Sequence, residues 1–264
     1  MKRYESTYVA CLDILGFKDI VLGHSHEHLE SLYLRAFCGT IEHALSNGKY
    51  ILQDDGDSER IGPDTRQAAV NSILVSDSIV IWTNDGSAES FSHIVTAVRN
   101  LLALSMMDGI PLRGAISTGP LTWALNQWPS QTHNFQHSLF GKAIVEAVSA
   151  EKQQEWCGCM IDEAAIESYK SNCSGGHSLI ENKLILSYPI PTKDGEVEGY
   201  AVDWVNHPQA PIHTRTVVDA FAPHMKPEPA EWEKIKRKLE NTLKFVKYVK
   251  PSANQEPVRG IWAR

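Results

Sequence analysis

The stretch Val9-Ala10-Cys11-Leu12-Asp13-Ile14-Leu15-Gly16-Phe17-Lys18 constrains this chain more than any other. An apolar strand runs into a carboxylate, a glycine turn follows at once, and Asp19-Ile20-Val21-Leu22 opens a helix. That order places Asp13 beside the free backbone N–H groups of a helix start at Gly16, Phe17 and Lys18. A divalent cation can sit on the acid and phosphate oxygens on the turn, with Lys18 adding charge beside them. A second acid stands in Ile73-Leu74-Val75-Ser76-Asp77-Ser78-Ile79-Val80-Ile81-Trp82, where two apolar strands flank a short polar turn. The segment reads as a hairpin with Asp77 at its tip. Two carboxylates on neighbouring strand ends are what a two-metal phosphoryl or nucleotidyl site requires. Taken singly, each acid also fits a turn or N-cap aspartate, and Lys18 fits an ordinary exposed lysine.

The rest of the chain alternates helical and strand-like patterns. Residues 6–13 read as a strand, and 27–46 carry Leu29, Leu32, Tyr33, Phe37, Ile41 and Leu45 at helical spacing. Residues 47–68 are polar and turn-rich and read as a loop. Residues 70–83 form the hairpin, 88–108 a helix and 112–118 a strand. Residues 120–139, with Trp123, Trp128, His133 and Phe135, read as a loop or strand pair. A helix over 142–155, a strand at 158–161 and a helix at 163–169 follow. This order predicts the α+β class, an antiparallel sheet covered by helices. A polar link, Ser171 to His177, separates a first unit of residues 1–170 from a C-terminal extension of residues 171–264, packed on or continuing the same domain. The extension reads as strands over 180–190 and 196–206 and an amphipathic helix over 229–250, with Trp232, Ile235, Leu239, Leu243, Val246 and Val249 on one face. Lysines and arginines outnumber acids there, which reads as a solvated face.

Charge and cysteine usage narrow the function classes. With 264 residues the chain can bury a sizeable core. A net charge of −7 argues against a general nucleic-acid binder, yet allows a triphosphate that meets a local field and a metal. No apolar run is long enough for a bilayer, and Met-Lys-Arg-Tyr-Glu does not open a signal peptide. The five cysteines, an odd number without framework spacing, read as reduced thiols of a cytoplasmic protein. His24, His26 and His28 alternate with polar residues after the first helix and are a weak metal candidate, and Cys157-x-Cys159 is one residue short of a zinc knuckle and has no partner pair. Walker-type and dinucleotide-type glycine spacings are absent.

Four segments together resemble the class III nucleotidyl cyclase family. Asp13-Ile14-Leu15-Gly16-Phe17 is similar to its Asp-Ile-x-Gly-Phe strand end, and Ser76-Asp77 to its hairpin tip. Leu112-Arg113-Gly114-Ala115-Ile116-Ser117-Thr118-Gly119 is similar to its R-x-G-I-x-x-G strand. Phe140-Gly141-Lys142-Ala143-Ile144-Val145-Glu146-Ala147 is similar to its W-G-x-x-V-N-x-A helix start. The resemblance covers about residues 6 to 165, with the motifs in the right order. The two acids lie 64 positions apart, and this longer-than-usual spacing for the family that the chain resembles implies an insertion at residues 47–68. It implies a ferredoxin-like catalytic core and two Mg²⁺ or Mn²⁺ ions held by Asp13, Asp77 and the Ile14 carbonyl. It also implies a homodimer whose sites form between protomers.

The departures from the family pattern bear on substrate. The family's purine-reading positions fall at Ile73 and Ser138, and its transition-state Asn and Arg at Val145 and Ser149. Lys152, one helical turn beyond Ser149, can supply a cation on about the same face. Small stand-alone proteins with this opening motif, altered base pocket and helical extension resemble the pyrimidine cyclases of bacterial anti-phage signalling (Pycsar). The resemblance implies conversion of UTP, less readily CTP, to the 3′,5′-cyclic monophosphate and pyrophosphate. Tyr50 beside the insertion can stack on or hydrogen-bond a small base, or simply pack as a strand tyrosine. A purine cyclase with an unusual pocket and a catalytically inactive nucleotide-binding domain remain the alternatives.

Overall fold

The computed structural model describes residues 1–31, 38–54, 59–127, 135–173, 178–224 and 229–251. The chain starts with β1 (Lys2–Ile14), α1 (Phe17–Gly23), α2 (His26–Glu30), α3 (Cys38–Ser46), β2 (Tyr50–Asp54) and β3 (Glu59–Pro63). Next come β4 (Asn71–Val75), β5 (Ser78–Trp82), α4 (Ala88–Met107), β6 (Leu112–Gln127), β7 (Phe135–Phe140), α5 (Lys142–Gln153), β8 (Gly158–Ile161) and α6 (Glu163–Asn172). The chain ends with α7 (Ser178–Glu181), β9 (Ile185–Thr192), β10 (Gly195–Val202), α8 (Thr214–Phe221) and α9 (Pro229–Val249).

One large sheet runs in the order β4-β5-β1-β6-β8-β10-β9, with β7 added along the outer half of β6. Its pairs are antiparallel except β6 with β8. β1 lies at the centre, and Tyr8, Val9, Ala10, Cys11 and Leu12 are buried on both of its faces. A strand covered on both sides needs a continuous apolar run, which this one has. One face meets α3, α4, α6, α8 and α9 in the main core, through Ile41, Phe91, Leu101, Ile166, Val217 and Phe245. Among the described residues the other face is covered by α5, through Ala143 and Ala147 over Val9, Cys11 and Leu121. Burying α4 matches its sequence: Phe91, Ile94, Val95, Val98 and Leu102 recur at helical spacing, and the Ser87 hydroxyl accepts from the Ser90 N–H at the N-terminus.

The α+β architecture is the one expected, and several local expectations need correction. Of the helix expected over 27–46, the described residues are helical in α2 and α3; Leu32, Tyr33 and Phe37 lie outside the described residues. The insertion at 47–68 is ordered at both ends as the two-stranded ribbon β2-β3, because Tyr50, Ile51 and Leu52 find partners in Pro63, Gly62 and Ile61. Trp128 and His133 lie outside the described residues. The strand expected from 180 starts at Ile185, after α7 and a turn in which Lys183 takes φ 57°. Helix α8 was not anticipated; its apolar Val217, Val218 and Phe221 pack into the main core. Beyond residue 170, β10 pairs with β8 and with β9, so the same sheet continues. All five cysteines are free thiols, and burial pushes Cys11 and Cys157 up to about 12. Among the described residues no helix is long and apolar enough to cross a membrane.

Candidate active site at the end of strand β1

Asp13 continues the row Val9, Cys11 on the α5 face, at the point where β1 leaves the sheet. Its neighbours in register are Ser78 on β5 and Arg113 on β6. After Ile14 the chain turns through Gly16, which takes the left-handed conformation (φ 76°) and caps α1. Glycine adopts that conformation without a Cβ clash. Its carbonyl accepts from the Asp19 and Ile20 N–H groups, at 2.9 and 3.0 Å, and this closes the first helical turn. On the neighbouring hairpin, Val75 pairs with Ser78, so Ser76 and Asp77 form a two-residue turn with Ser76 at φ 58°. The Ile14 N–H donates to the Asp77 carbonyl at 3.0 Å. The two acids named from the sequence therefore meet at one sheet end.

Arg113 lies between Asp13 and helix α5. Its guanidinium is 3.6 Å from the Asp13 carboxylate and 2.5 Å from that of Glu151. It also donates to the Gln154 carbonyl at 2.9 Å. Gln154 is itself held, its amide donating to the Gly114 carbonyl and its oxygen accepting from the Trp156 indole, each at 2.8 Å. The Glu151 side chain is 6% exposed and that of Arg113 is 11%, so this pair is buried and locked. The Asp13 side chain is 28% exposed and opens to solvent.

Electrostatics single Asp13 out. Burial raises its pKa, the Glu151 charge raises it further and Asp77 adds to the rise; Arg113 and Lys238 pull it down, and the result is about 6. The acids outweigh the 3.6 Å contact with Arg113 because Glu151 has already taken most of that cation. A partly desolvated carboxylate facing two further acids is short of positive charge. Two carboxylates with a nearby backbone carbonyl are hard oxygen donors of the kind Mg²⁺ and Mn²⁺ take, with phosphates and water completing the set. Among the described residues no cluster of three His, Cys, Asp or Glu forms a closed metal cage.

Other sequence-derived candidates fall in different places. Lys18 is exposed, and Phe17 is partly buried against the main core. Lys152 on α5 is exposed while its neighbour Glu151 points inward to Arg113, so within one chain Lys152 stands outside the Asp13 cluster. Val145 and Ser149 are exposed as well. Ile73 packs against the smaller core on the α5 face and lines an open cavity of about 250 Å³ with Tyr4, Asn71, Trp82, Trp123 and His137. Ser138 pairs with Ala124, between His137 and Leu139; Leu139 joins Ile73 in the α5-face core. Side chains alternate along a strand, so Ser138 points to the other face. Tyr50 is on the ribbon β2-β3, where its ring meets His43 edge-on at 5.2 Å and its hydroxyl bonds that imidazole. The structure thus brings Asp13, Ile14, Asp77 and Gly16 together, and it brings Tyr50 and Ser138 to neither the acids nor the Ile73 cavity.

Three members of the cluster were not singled out as site residues: Glu151, Gln154 and Lys238. In the sequence Arg113 stands out only as part of the Leu112–Gly119 motif. Lys238, three residues after Ile235, borders the apolar stripe of α9, and that position was its one sequence signal. It sits beside the Leu15–Gly16 turn, and burial, with the Arg113 charge, lowers its pKa.

No family model and no curated protein sequence matches this chain. Solved structures do. One is the catalytic core of a rhodopsin-guanylyl cyclase with converted specificity in complex with ATPαS: 16% identity, 76% of this chain, 96% of that chain, TM-score 0.50. The fold is that of a class III nucleotidyl cyclase catalytic domain. The non-canonical dimeric guanylyl cyclase domain of the RhoGC fusion protein from the aquatic fungus Blastocladiella emersonii is similar too, with 16% identity over 77% of this chain and 98% of that one, TM-score 0.50. So is a bacterial light-regulated adenylyl cyclase, with 11% identity over 89% of this chain and 58% of that one, TM-score 0.50. In the class III cyclase fold the Phe140-Gly141 motif has a plain steric reason. Gly141 caps α5 at φ 154°, and a Cβ there would lie 2.8 Å from the Leu121 Cα.

Proposed function

We propose that this chain is a nucleotide cyclase that converts a pyrimidine ribonucleoside triphosphate, UTP ahead of CTP, to the 3′,5′-cyclic monophosphate and pyrophosphate. The observation that carries the reading is the meeting of Asp13 and Asp77 at one sheet end, tied by the Ile14–Asp77 hydrogen bond. Asp13, Asp77 and the Ile14 carbonyl would hold Mg²⁺ or Mn²⁺. Bound there, the ions lower the pKa of a ribose hydroxyl and neutralise charge on a triphosphate. In the reaction the ribose 3′-oxygen bonds to the α-phosphorus, the bond to the bridging oxygen breaks, pyrophosphate leaves and the hydroxyl proton passes to solvent. The Gly16–Lys18 turn receives phosphate oxygens. Glu151 and Gln154 keep Arg113 fixed beside Asp13, so the site needs little rearrangement when charge moves.

The pyrimidine assignment is supported by Ile73, at one of the two purine-reading positions; Ser138, at the other, points to the opposite face of the sheet. Ile73 offers no hydrogen bond to a base edge, and a site that leaves a purine's polar groups unpaired disfavours it. Assembly as a homodimer is supported by α5, which presents Val145, Ser149 and Lys152 outward. A partner's Lys152 would then complete the Asp13 site. The free thiols support a cytoplasmic setting, and the product would serve as a second messenger in anti-phage defence.

The deciding experiment incubates the protein with the four ribonucleoside triphosphates and Mn²⁺ and identifies products by mass. Cyclic UMP is the expected main product. Predominant cyclic AMP or GMP would reject the pyrimidine assignment and favour a purine cyclase; no cyclic product would favour an inactive nucleotide-binding domain.

A further inference from the structure

Helix α9 brings a cation back to the start of the chain. It is anchored by Arg237 to Glu155 at 2.9 Å, by Asn241 to the Glu155 carbonyl at 2.8 Å and by Thr242 to the Cys157 N–H at 2.8 Å. Its apolar residues Leu239, Phe245 and Val246 are buried in the main core, and Phe245 meets the Trp156 ring at 4.8 Å. These contacts tie α9 to the segment just before β8. On the same turn as Arg237 and Leu239, Lys238 lines a cavity of about 40 Å³ with Leu15, Gly16, Pro111 and Ile235. Among the described residues its ammonium makes no hydrogen bond and no ion pair, although neighbouring Arg237 makes both. The Arg113 charge repels it, while Glu155 and, more weakly, Asp13 attract it, but the Glu155 carboxylate is already paired with Arg237. A partly buried ammonium without a partner is costly unless an anion arrives to meet it.

We infer that Lys238 is a polyphosphate-binding residue: α9 delivers it to the Leu15–Gly16 turn, where it meets the phosphate chain of a nucleoside triphosphate or the released pyrophosphate. This deepens the cyclase reading and rests on it for the identity of the substrate, but the anion site stands on α9 itself. It also places a cation for the leaving group in the same chain as Asp13, whichever cation a partner adds. A Lys-to-phosphate contact is a charge-assisted bond, stronger than a neutral one.

The test uses the full chain and inorganic tripolyphosphate with Mg²⁺, read by titration calorimetry, beside KM for the triphosphate that gives product. Lys238→Met should weaken tripolyphosphate binding and raise KM at least about tenfold. Lys238→Arg should stay within about threefold of wild type, and Lys247→Met, an exposed position on the same helix, should change neither. Lys238→Gln replaces the Met variant if that one does not fold, with melting temperature as the check. Wild-type affinity in Lys238→Met, or no tripolyphosphate binding by the wild-type chain, overturns the inference. Loss of tripolyphosphate binding in a chain that cyclises no nucleotide would keep Lys238 as an anion ligand and reject the cyclase. Full cyclase activity with an unaltered Lys238→Met would do the reverse.

Discussion

The backbone N–H of Ile14 donates to the carbonyl of Asp77 at 3.0 Å, across 63 positions of sequence. This one bond fixes the tip of the β4-β5 hairpin against the end of β1. It turns two separately ambiguous aspartates into a pair on a common edge.

If that pair holds metal, removing either charge removes transition-state stabilisation worth several kcal/mol. Asp13→Asn and Asp77→Asn should each lower turnover about a thousandfold or more. Melting temperatures should not fall, because neither side chain is in the core. Unchanged turnover in either variant would sink the site.

The pKa of about 6 at Asp13 sets a pH window. Its folded-state value lies above the unfolded one, so the native state binds this proton more tightly. Stability from that proton is full below about pH 4 and is lost as the pH rises through about 6. Asp13→Asn should therefore stabilise the metal-free protein at pH 7.5, by roughly 1–3 kcal/mol, and not at pH 4. Mn²⁺ affinity of the native protein should fall below pH 6, as protons compete for the carboxylate. Denaturation curves at both pH values, with and without Mn²⁺, read out each claim, and a pH-independent Mn²⁺ affinity would contradict the second.

Glu151 is the largest charged contributor to the Asp13 rise and the closest partner of Arg113. Glu151→Ala leaves a buried guanidinium short of a partner and should cost about 3–5 kcal/mol. Glu151→Gln keeps a hydrogen bond and should cost less. It should also move the acid limb of Mn²⁺ binding to lower pH, which a purely structural role for Glu151 would not do.

Sharing of sites between protomers can be tested by mixing. An Asp77→Asn chain and a Lys152→Ala chain, each defective alone, should regain up to about a quarter of wild-type activity, since half the dimers are mixed and each of those has one intact site. A fully active monomer would rule out the shared site. A dimer without complementation would leave Lys152 outside it.

Local sequence determined the elements that local forces can specify. The apolar run of β1 with Asp13 and Gly16 at its end, the hairpin carrying Asp77, and the spacing of Phe91, Ile94, Val98 and Leu102 in α4 all follow from side-chain period and turn chemistry. The fold class follows from their order. Tertiary structure alone decided what surrounds Asp13. Glu151 and Lys152 are adjacent on α5, and only the packing of that helix on β1 and β6 turns the acid toward Arg113 and the lysine to solvent. Tyr50 looked free to meet a base until the β2-β3 ribbon set it against His43. Ser138 and Ile73, paired by motif, are parted by strand alternation across a long sheet. Lys238 read as one more exposed lysine until the anchors of α9, on the residues just before β8, brought it beside the Gly16 turn. Period and propensity act over a few residues, whereas the charge a carboxylate feels depends on which distant elements the core brings within a few ångströms of it.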